Sequence, residues 1–249
     1  MKKSFFSIFL ITSSLFLGCN QANRNFENKL LDHEISEDSI INLFIKPFTK
    51  EINKSDLNIS LAYSPKKYTK KDGELNSTLS NLFADATFQI CNPIFNKIFQ
   101  KNIDIVLLNT GGIRSIISKG EISKKTAYEL MPFENQILLL ELKGDIIMEM
   151  VEYLIKERKS HPIYGLQINL DQNYNLKNLN VNGDKLNINS FYNVATTDYL
   201  LKGGDNMNFF AKNSKTFDLK IKMRDVLINY FQNIDTLLLK TDKRFIKNE

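Results

Sequence analysis

Two glycine turns lie far apart in the chain, Asn109-Thr110-Gly111-Gly112-Ile113-Arg114 and Tyr199-Leu200-Leu201-Lys202-Gly203-Gly204-Asp205, with Pro132-Phe133-Glu134-Asn135 between them. The first follows the apolar run Ile103 to Leu108. The backbone should therefore leave a buried strand through two residues that accept positive φ and allow a ligand to come close. Arg114 follows as a fixed cation with planar donor geometry, suited to phosphate or ribose oxygens. In the second turn Tyr199 precedes Asp205 across a tight Gly203-Gly204 bend, offering a ring face and carboxylate acceptors. Phe133 supplies a second ring, held behind a proline. Each residue also has a plainer role. Asn109 forms turns by bonding its own backbone, Asp205 can cap a turn or a helix, and the two aromatics can be ordinary core residues. Taken together, the rings, the carboxylate and the cation have the makings of a pocket for a base, a sugar and a phosphate.

These residues need rigid elements behind them. Leu57 to Tyr63 alternates like a strand and ends at Ser64-Pro65. Asn76 to about Ile90 places Leu79, Leu82, Phe83, Ala86 and Ile90 on one helical face, and a second short helix is expected after Asn92-Pro93. The small Ala84 and Ala86 permit close packing on a sheet. Strands are predicted at Ile103 to Leu108, Gln136 to Leu142, Gly165 to Leu170, Leu176 to Val181 and Tyr192 to Thr197. Helices are predicted at Lys124 to Leu130, from Gly144 to about Lys159, and from about Leu219 to Phe231. Upstream, Ser36 can cap a helix from about Glu37 to Glu51 that Pro47 should kink or end. Strands and helices alternate irregularly, which points to a single α+β domain with mixed β-sheets and packed helices.

In order and spacing, the strings Asn109-x-Gly-Gly-Ile-Arg114, Gly120-Glu121-Ile122-Ser123, Pro132-Phe133-x-Asn135, Leu142-Lys143-Gly144, Thr196-Thr197-Asp198-Tyr199 and Gly203-Gly204-Asp205 resemble the C-terminal domain of the 5'-nucleotidase family. The resemblance covers roughly residues 40 to 235. It implies the same α+β fold and a substrate site built from Asn109, Gly111, Gly112, Arg114, Phe133, Tyr199, Gly203, Gly204 and Asp205. In that family the aromatics matching Phe133 and Tyr199 sandwich the base, the residue matching Asp205 takes the ribose hydroxyls, and those matching Asn109 and Arg114 contact base, ribose or phosphate. One departure concerns phosphate: the family commonly carries another arginine before the helix holding Asn81 to Ala86, where this chain has Asp72-Gly73-Glu74, with Lys70 and Lys71 further back.

The N-terminus reads as an export signal. Lys2 and Lys3 precede the apolar stretch Phe5 to Leu17, and Gly18-Cys19 follows. We expect a lipoprotein signal peptide over residues 1–18, lipidation at Cys19, a flexible spacer over 19–35 and the folded domain over 36–249. The expected location is outside the cytoplasm, on the periplasmic or cell-surface side, with the lipid as membrane anchor. Without Lys2 and Lys3, the 33 Lys and Arg set against 28 Asp and Glu leave a net charge of only about +3. That is far from a nucleic-acid coat, so no nucleic-acid partner is expected. Of the two cysteines, Cys91 reads as a buried thiol, which leaves no intramolecular disulfide if Cys19 is lipidated.

Hydrolysis in the resembled family belongs to an N-terminal metallophosphatase domain, in which two metals activate water. Such sites lean on several histidines, and this sequence has only His33, in the spacer, and His161, expected to be solvated or to cap a helix. No catalytic residue and no metal ligand is therefore assigned, and divalent metals are expected only in a partner. Three readings follow. The chain is the substrate-recognition half of a split nucleotidase with a separately encoded metallophosphatase, a stand-alone nucleoside or nucleotide-binding lipoprotein, or a self-sufficient hydrolase.

Overall fold

The computed structural model describes residues 39–54 and 56–248; the expected signal peptide, the expected lipidation site Cys19, the expected spacer and His33 lie outside the described residues. The first described element, α1 (Ser39–Lys54), contains Pro47 and runs three residues beyond the expected end. Its Ile41, Leu43, Phe44, Ile45 and Phe48 side chains are exposed.

In the unit that begins at Phe48, a five-stranded sheet carries the fold, in the order β10 (Lys215–Lys222), β4 (Gln136–Lys143), β9 (Phe191–Thr197), β2 (Ile105–Leu107) and β5 (Ile163–Tyr164). It is mixed, because β2 and β9 are parallel while the other neighbours are antiparallel. Both faces are covered, so alternate residues of each central strand enter different cores. Val106, Ile137, Leu139 and Ala195 face one cluster, with helices α2 (Thr78–Phe99) and α6 (Met223–Gln232) packed through Leu79, Leu82, Phe83, Phe95, Val226, Leu227 and Phe231. Ile105, Leu107, Leu138, Leu140 and Val194 face the other, against α4 (Gly144–Glu157) and a four-stranded sheet. That sheet is β11 (Phe245–Lys247), β6 (Leu166–Leu170), β7 (Leu176–Val181) and β8 (Asp184–Lys185). A small antiparallel pair, β1 (Ser60–Ser64) with β3 (Gly120–Ser123), leads into α3 (Lys124–Leu130). The fold is the expected α+β arrangement with mixed sheets.

Two helical expectations need correction. The break at Pro93 does not occur: α2 is one helix of 22 residues, capped by the Ser77 hydroxyl, which accepts the Ser80 N–H. An interior proline costs about 3 kcal/mol. Burial of Phe95 contributes a comparable 1.5–3 kcal/mol on rough apolar-transfer figures, and Cys91 is fully buried beside it. Pro93 and Gln89, whose carbonyl loses its helical partner, both lie toward solvent, so the loss is shared with water. The second correction is at the C-terminal side. Residues 215–222 form an edge strand, and the helix starts only at Met223. The alternation of Phe217, Leu219 and Ile221, all packed on the first core, is the period-2 signal that the helical reading of Leu219 overlooked.

Cys91 is buried as expected, and burial pushes its thiol up to about 12. If Pro93 is tolerated and not required, Pro93→Ala should raise stability, by at most about 3 kcal/mol and less where proline had restrained the unfolded chain. Urea denaturation with an unchanged slope is the measurement.

Candidate functional site

The sheet brings the three informative segments to one end. β2 and β9 run parallel, Ile105 opposite Val194, so both leave the sheet on the same side, toward Asn109 and Tyr199. β4 is antiparallel to β9 with Ile137 opposite Thr197, so the Phe133 loop enters at that same end. Ligand sites commonly form outside the carboxyl ends of parallel strands.

After β2, Thr110–Gly112 forms a single 3-10 turn, closed by Gly112 N–H to the Asn109 carbonyl at 3.1 Å and Ile113 N–H to the Thr110 carbonyl at 3.2 Å. Neither Gly111 nor Gly112 uses the positive φ open to it. Close approach is what requires them: a Cβ on Gly111 would lie 3.2 Å from Asn109 Nδ2 and 3.3 Å from Asp205 Oδ2, and one on Gly112 3.2 Å from Asn109 Oδ1. The bare backbone lets the Asn109 amide reach across and donate to Asp205 Oδ2 at 2.7 Å.

The second turn follows the short helix α5 (Asp198–Leu201), capped by the Thr197 hydroxyl. Gly203 sits in the left-handed region at φ 88, and Asp205 and Asn206 follow at φ 51 and 60. Left-handed geometry costs a non-glycine residue about 1 kcal/mol or more, so something must hold it. Tyr153 donates its hydroxyl to the Asp205 carbonyl at 2.8 Å, and Tyr199 donates to Asp205 Oδ1 at 3.0 Å. Gly204 lies under the Tyr199 ring, where a Cβ would meet ring carbons at 2.4 to 2.6 Å. The carboxylate thus accepts one bond on each oxygen and keeps its remaining lone pairs open, since each oxygen can take two.

Phe133 is anchored through its neighbours. Glu134 pairs with Lys222 and Arg224 at the start of α6, and these partners hold its carboxyl down at about 2. The Met223 N–H bonds the Asn135 carbonyl at 2.9 Å, and the Gln136 N–H bonds Asp198 Oδ1 at 3.0 Å, which ties the loop to the helix bearing Tyr199. Arg114 lies 5.8 Å from the Phe133 ring centre.

Asn109, Gly111, Gly112, Arg114, Phe133, Tyr199 and Asp205 line one cavity of ≈ 230 Å³, joined by Asn135. Gly203 and Gly204 shape its wall from behind without lining it. Both rings keep open faces, Phe133 at 39% and Tyr199 at 43% exposure. A larger groove of ≈ 680 Å³ runs past Arg244. There the guanidinium is spent on Asp85, Asp242 and the Ile163 carbonyl, so the smaller cavity is the better site.

The profile of the 5'-nucleotidase C-terminal domain matches residues 52–212. The chain belongs to the 5'-nucleotidase C-terminal domain family. It is 22% identical over 195 residues to a Vibrio cholerae 5'-nucleotidase, a match covering 74% of this chain and 32% of that protein. An apyrase of Tabanus yao is 23% identical over 172 residues, covering 61% and 31%. The chain therefore spans about a third of the length of these curated relatives. Among solved structures, the 5'-nucleotidase precursor of Thermus thermophilus superposes with a TM-score of 0.70 at 18% identity, covering 83% of this chain and 42% of that one. The Haemophilus influenzae NAD nucleotidase gives 0.60 at 14% identity, covering 85% and 42%. At these identities the likeness establishes the fold.

Among the described residues no group of three or more His, Cys, Asp or Glu is placed to hold an ion, and no chemical step is assigned to the cavity. Three residues of the site's surroundings were not anticipated. Lys70 donates to the Thr110 and Ile113 carbonyls at 3.0 and 2.6 Å, bracing the first turn from behind; burial, then the Arg114 charge, lowers its pKa. Tyr153 supports Asp205 from α4. His161, expected in solvent or at a helix end, is instead buried at 4% exposure, because the Pro162 carbonyl accepts the Leu108 N–H at 3.0 Å and draws this segment in beside β2. No single-residue pattern marks these three; all depend on pairings across the fold.

The hydrogen bond to Asp205, then the carboxylate's charge, raises the Tyr199 pKa above 10. Asp205→Asn removes the charge yet keeps a residue that tolerates left-handed backbone. Tyr199 should then titrate lower, toward 10, in a ¹³C-tyrosine NMR titration, with the fold intact.

Proposed function

We propose that the cavity captures a nucleoside or nucleotide, with the base between Phe133 and Tyr199, the ribose hydroxyls on Asp205 and Asn109, and any phosphate toward Arg114. The observation that carries this reading is the Asp205 carboxylate, aimed by Asn109 and Tyr199 with acceptor capacity left over, in a cavity whose other walls are two open rings and a guanidinium. Hydroxyl donors satisfy such a carboxylate, and aromatic faces accept any base. The cavity is smaller than the roughly 300–1,000 Å³ of sites that enclose a whole drug-sized ligand, which suits one base and its sugar with the remainder extending outward.

We further propose that the domain is the substrate-recognition half of a nucleotide-degrading system whose two-metal chemistry is supplied by a separate metallophosphatase chain. In this reading it works outside the cytoplasm, tethered by lipid on Cys19. Support comes from the pairing of a built recognition site with an imidazole, His161, already engaged in holding a turn, and from relatives that are 5'-nucleotidases of about three times the matched length. Mixing the chain with the metallophosphatase encoded nearest to it should give AMP hydrolysis that neither shows alone. Hydrolysis of AMP by this chain alone with added Mn²⁺ would overturn the split arrangement, and tight capture without any gain on mixing would favour a stand-alone binding lipoprotein.

Phe133→Ala and Tyr199→Ala should each weaken adenosine binding by about 1–3 kcal/mol with little change in melting temperature. Calorimetry reads this directly, and unchanged affinity in both variants would move the ligand elsewhere.

A further inference from the structure

His161 stands where two lines of contact to Asp205 meet. Its Nδ1 accepts the Thr110 N–H at 3.3 Å, and Thr110 adjoins Asn109, whose amide grips Asp205. On its other side the imidazole packs against the Tyr153 ring, 5.8 Å between centres, and the Tyr153 hydroxyl bonds the Asp205 carbonyl. With Nδ1 accepting, a neutral imidazole carries its hydrogen on Nε2. That Nε2 is buried and has no partner in the protein. A leucine would fill the space without stranding a buried N–H, so the acceptor at Nδ1 is what the position uses.

We infer that His161 is a positioning residue, a neutral imidazole whose Nδ1 sets the first turn and thereby aims Asn109 at Asp205. The inference rests on the proposed reading for its ligand and on geometry alone for the aiming. Burial brings the pKa down to about 4, outweighing the Leu108 carbonyl, which favours the charged ring as a hydrogen-bond acceptor, and the carboxylates of Glu157 at the end of α4 and Asp205; Lys159 beyond α4 adds to the lowering. The acceptor is thus available throughout the neutral range.

Three measurements on the full chain test it. His161→Leu should weaken adenosine binding about tenfold, the scale of one hydrogen bond, while His161→Asn, which places an oxygen near Nδ1, should stay within about threefold of the wild type. In ¹H–¹⁵N spectra the Thr110 amide and the Asn109 side-chain amide should move in His161→Leu and return in His161→Asn. In the wild type, imidazole ¹⁵N shifts at about pH 6 should report the neutral ring with hydrogen on Nε2. Equal weakening in both variants, a His161→Leu form that binds like the wild type, or hydrogen on Nδ1 would each overturn the inference. If the wild type fails to bind adenosine, the ligand reading falls. The Asn109 resonance then decides the positioning role, unmoved in His161→Leu overturning it and moved supporting it. The tautomer measurement needs no variant and holds even if His161→Leu does not fold.

Discussion

One hydrogen bond, Asn109 Nδ2 to Asp205 Oδ2 at 2.7 Å, joins residues 96 apart in the chain and ties the two turns of the site together. The bond spans two turns that have no other side-chain link to each other among the described residues. It explains why glycine stands at 111 and 112, where any side chain would crowd the amide and the carboxylate. It also helps offset the left-handed backbone at Asp205, which sits inside the short 3-10 segment Gly204–Asn206. Losing Asp205 would leave the buried Asn109 amide without this acceptor, whereas losing Asn109 would leave an exposed carboxylate that still holds Tyr199, so the first change is the costlier.

The sheet that carries both turns is buried on both faces. A slip of β2 against β9 by one residue would exchange Ile105 and Leu107 for Val106 between two cores of different shape. Register is therefore tightly held, and with it the distance between the chain ends that leave β2 and β9. The Phe133 loop inherits the same precision through β4 and is then pinned at its far side by Glu134, Lys222 and Arg224. Rigid elements placing short loops is how a protein secures a site whose own residues lie on turns.

Much of this was legible in the sequence, and the line between legible and hidden is physical. The helices Lys124–Leu130 and Gly144–Glu157 and the strand Leu176–Val181 carry strong local periodicity and appear where the pattern places them. The order of the motifs that carry the family resemblance picks out nine candidate residues, and seven of them line one cavity. What local pattern cannot contain is the outcome of long-range competition. Pro93 stays inside a helix because Phe95 and Cys91 are worth more buried, and Lys215–Lys222 becomes a strand because β4 presents an edge to it. His161 and Lys70 escaped for the same reason, since each matters only after residues some 40 to 51 positions away arrive beside it.

The pieces of the site share a further property, which is that little in it must reorganise to receive a ligand. The Tyr199 ring rests on Gly204 with its hydroxyl committed, the Phe133 loop is tied at both ends, and Asp205 is oriented from two sides. Association costs fall when binding groups are already ordered, because each immobilised side chain would otherwise take roughly 0.5–1.5 kcal/mol from affinity. Here that ordering is supplied in advance by hydrogen bonds made during folding. The donors to the Asp205 carboxylate, Asn109 and Tyr199, take one lone pair on each oxygen, which leaves acceptor sites for hydroxyls. Placing the cations at Arg114 and Lys70, on the first turn and behind it, leaves Asp205 as the acceptor and Arg114 as the donor of the cavity.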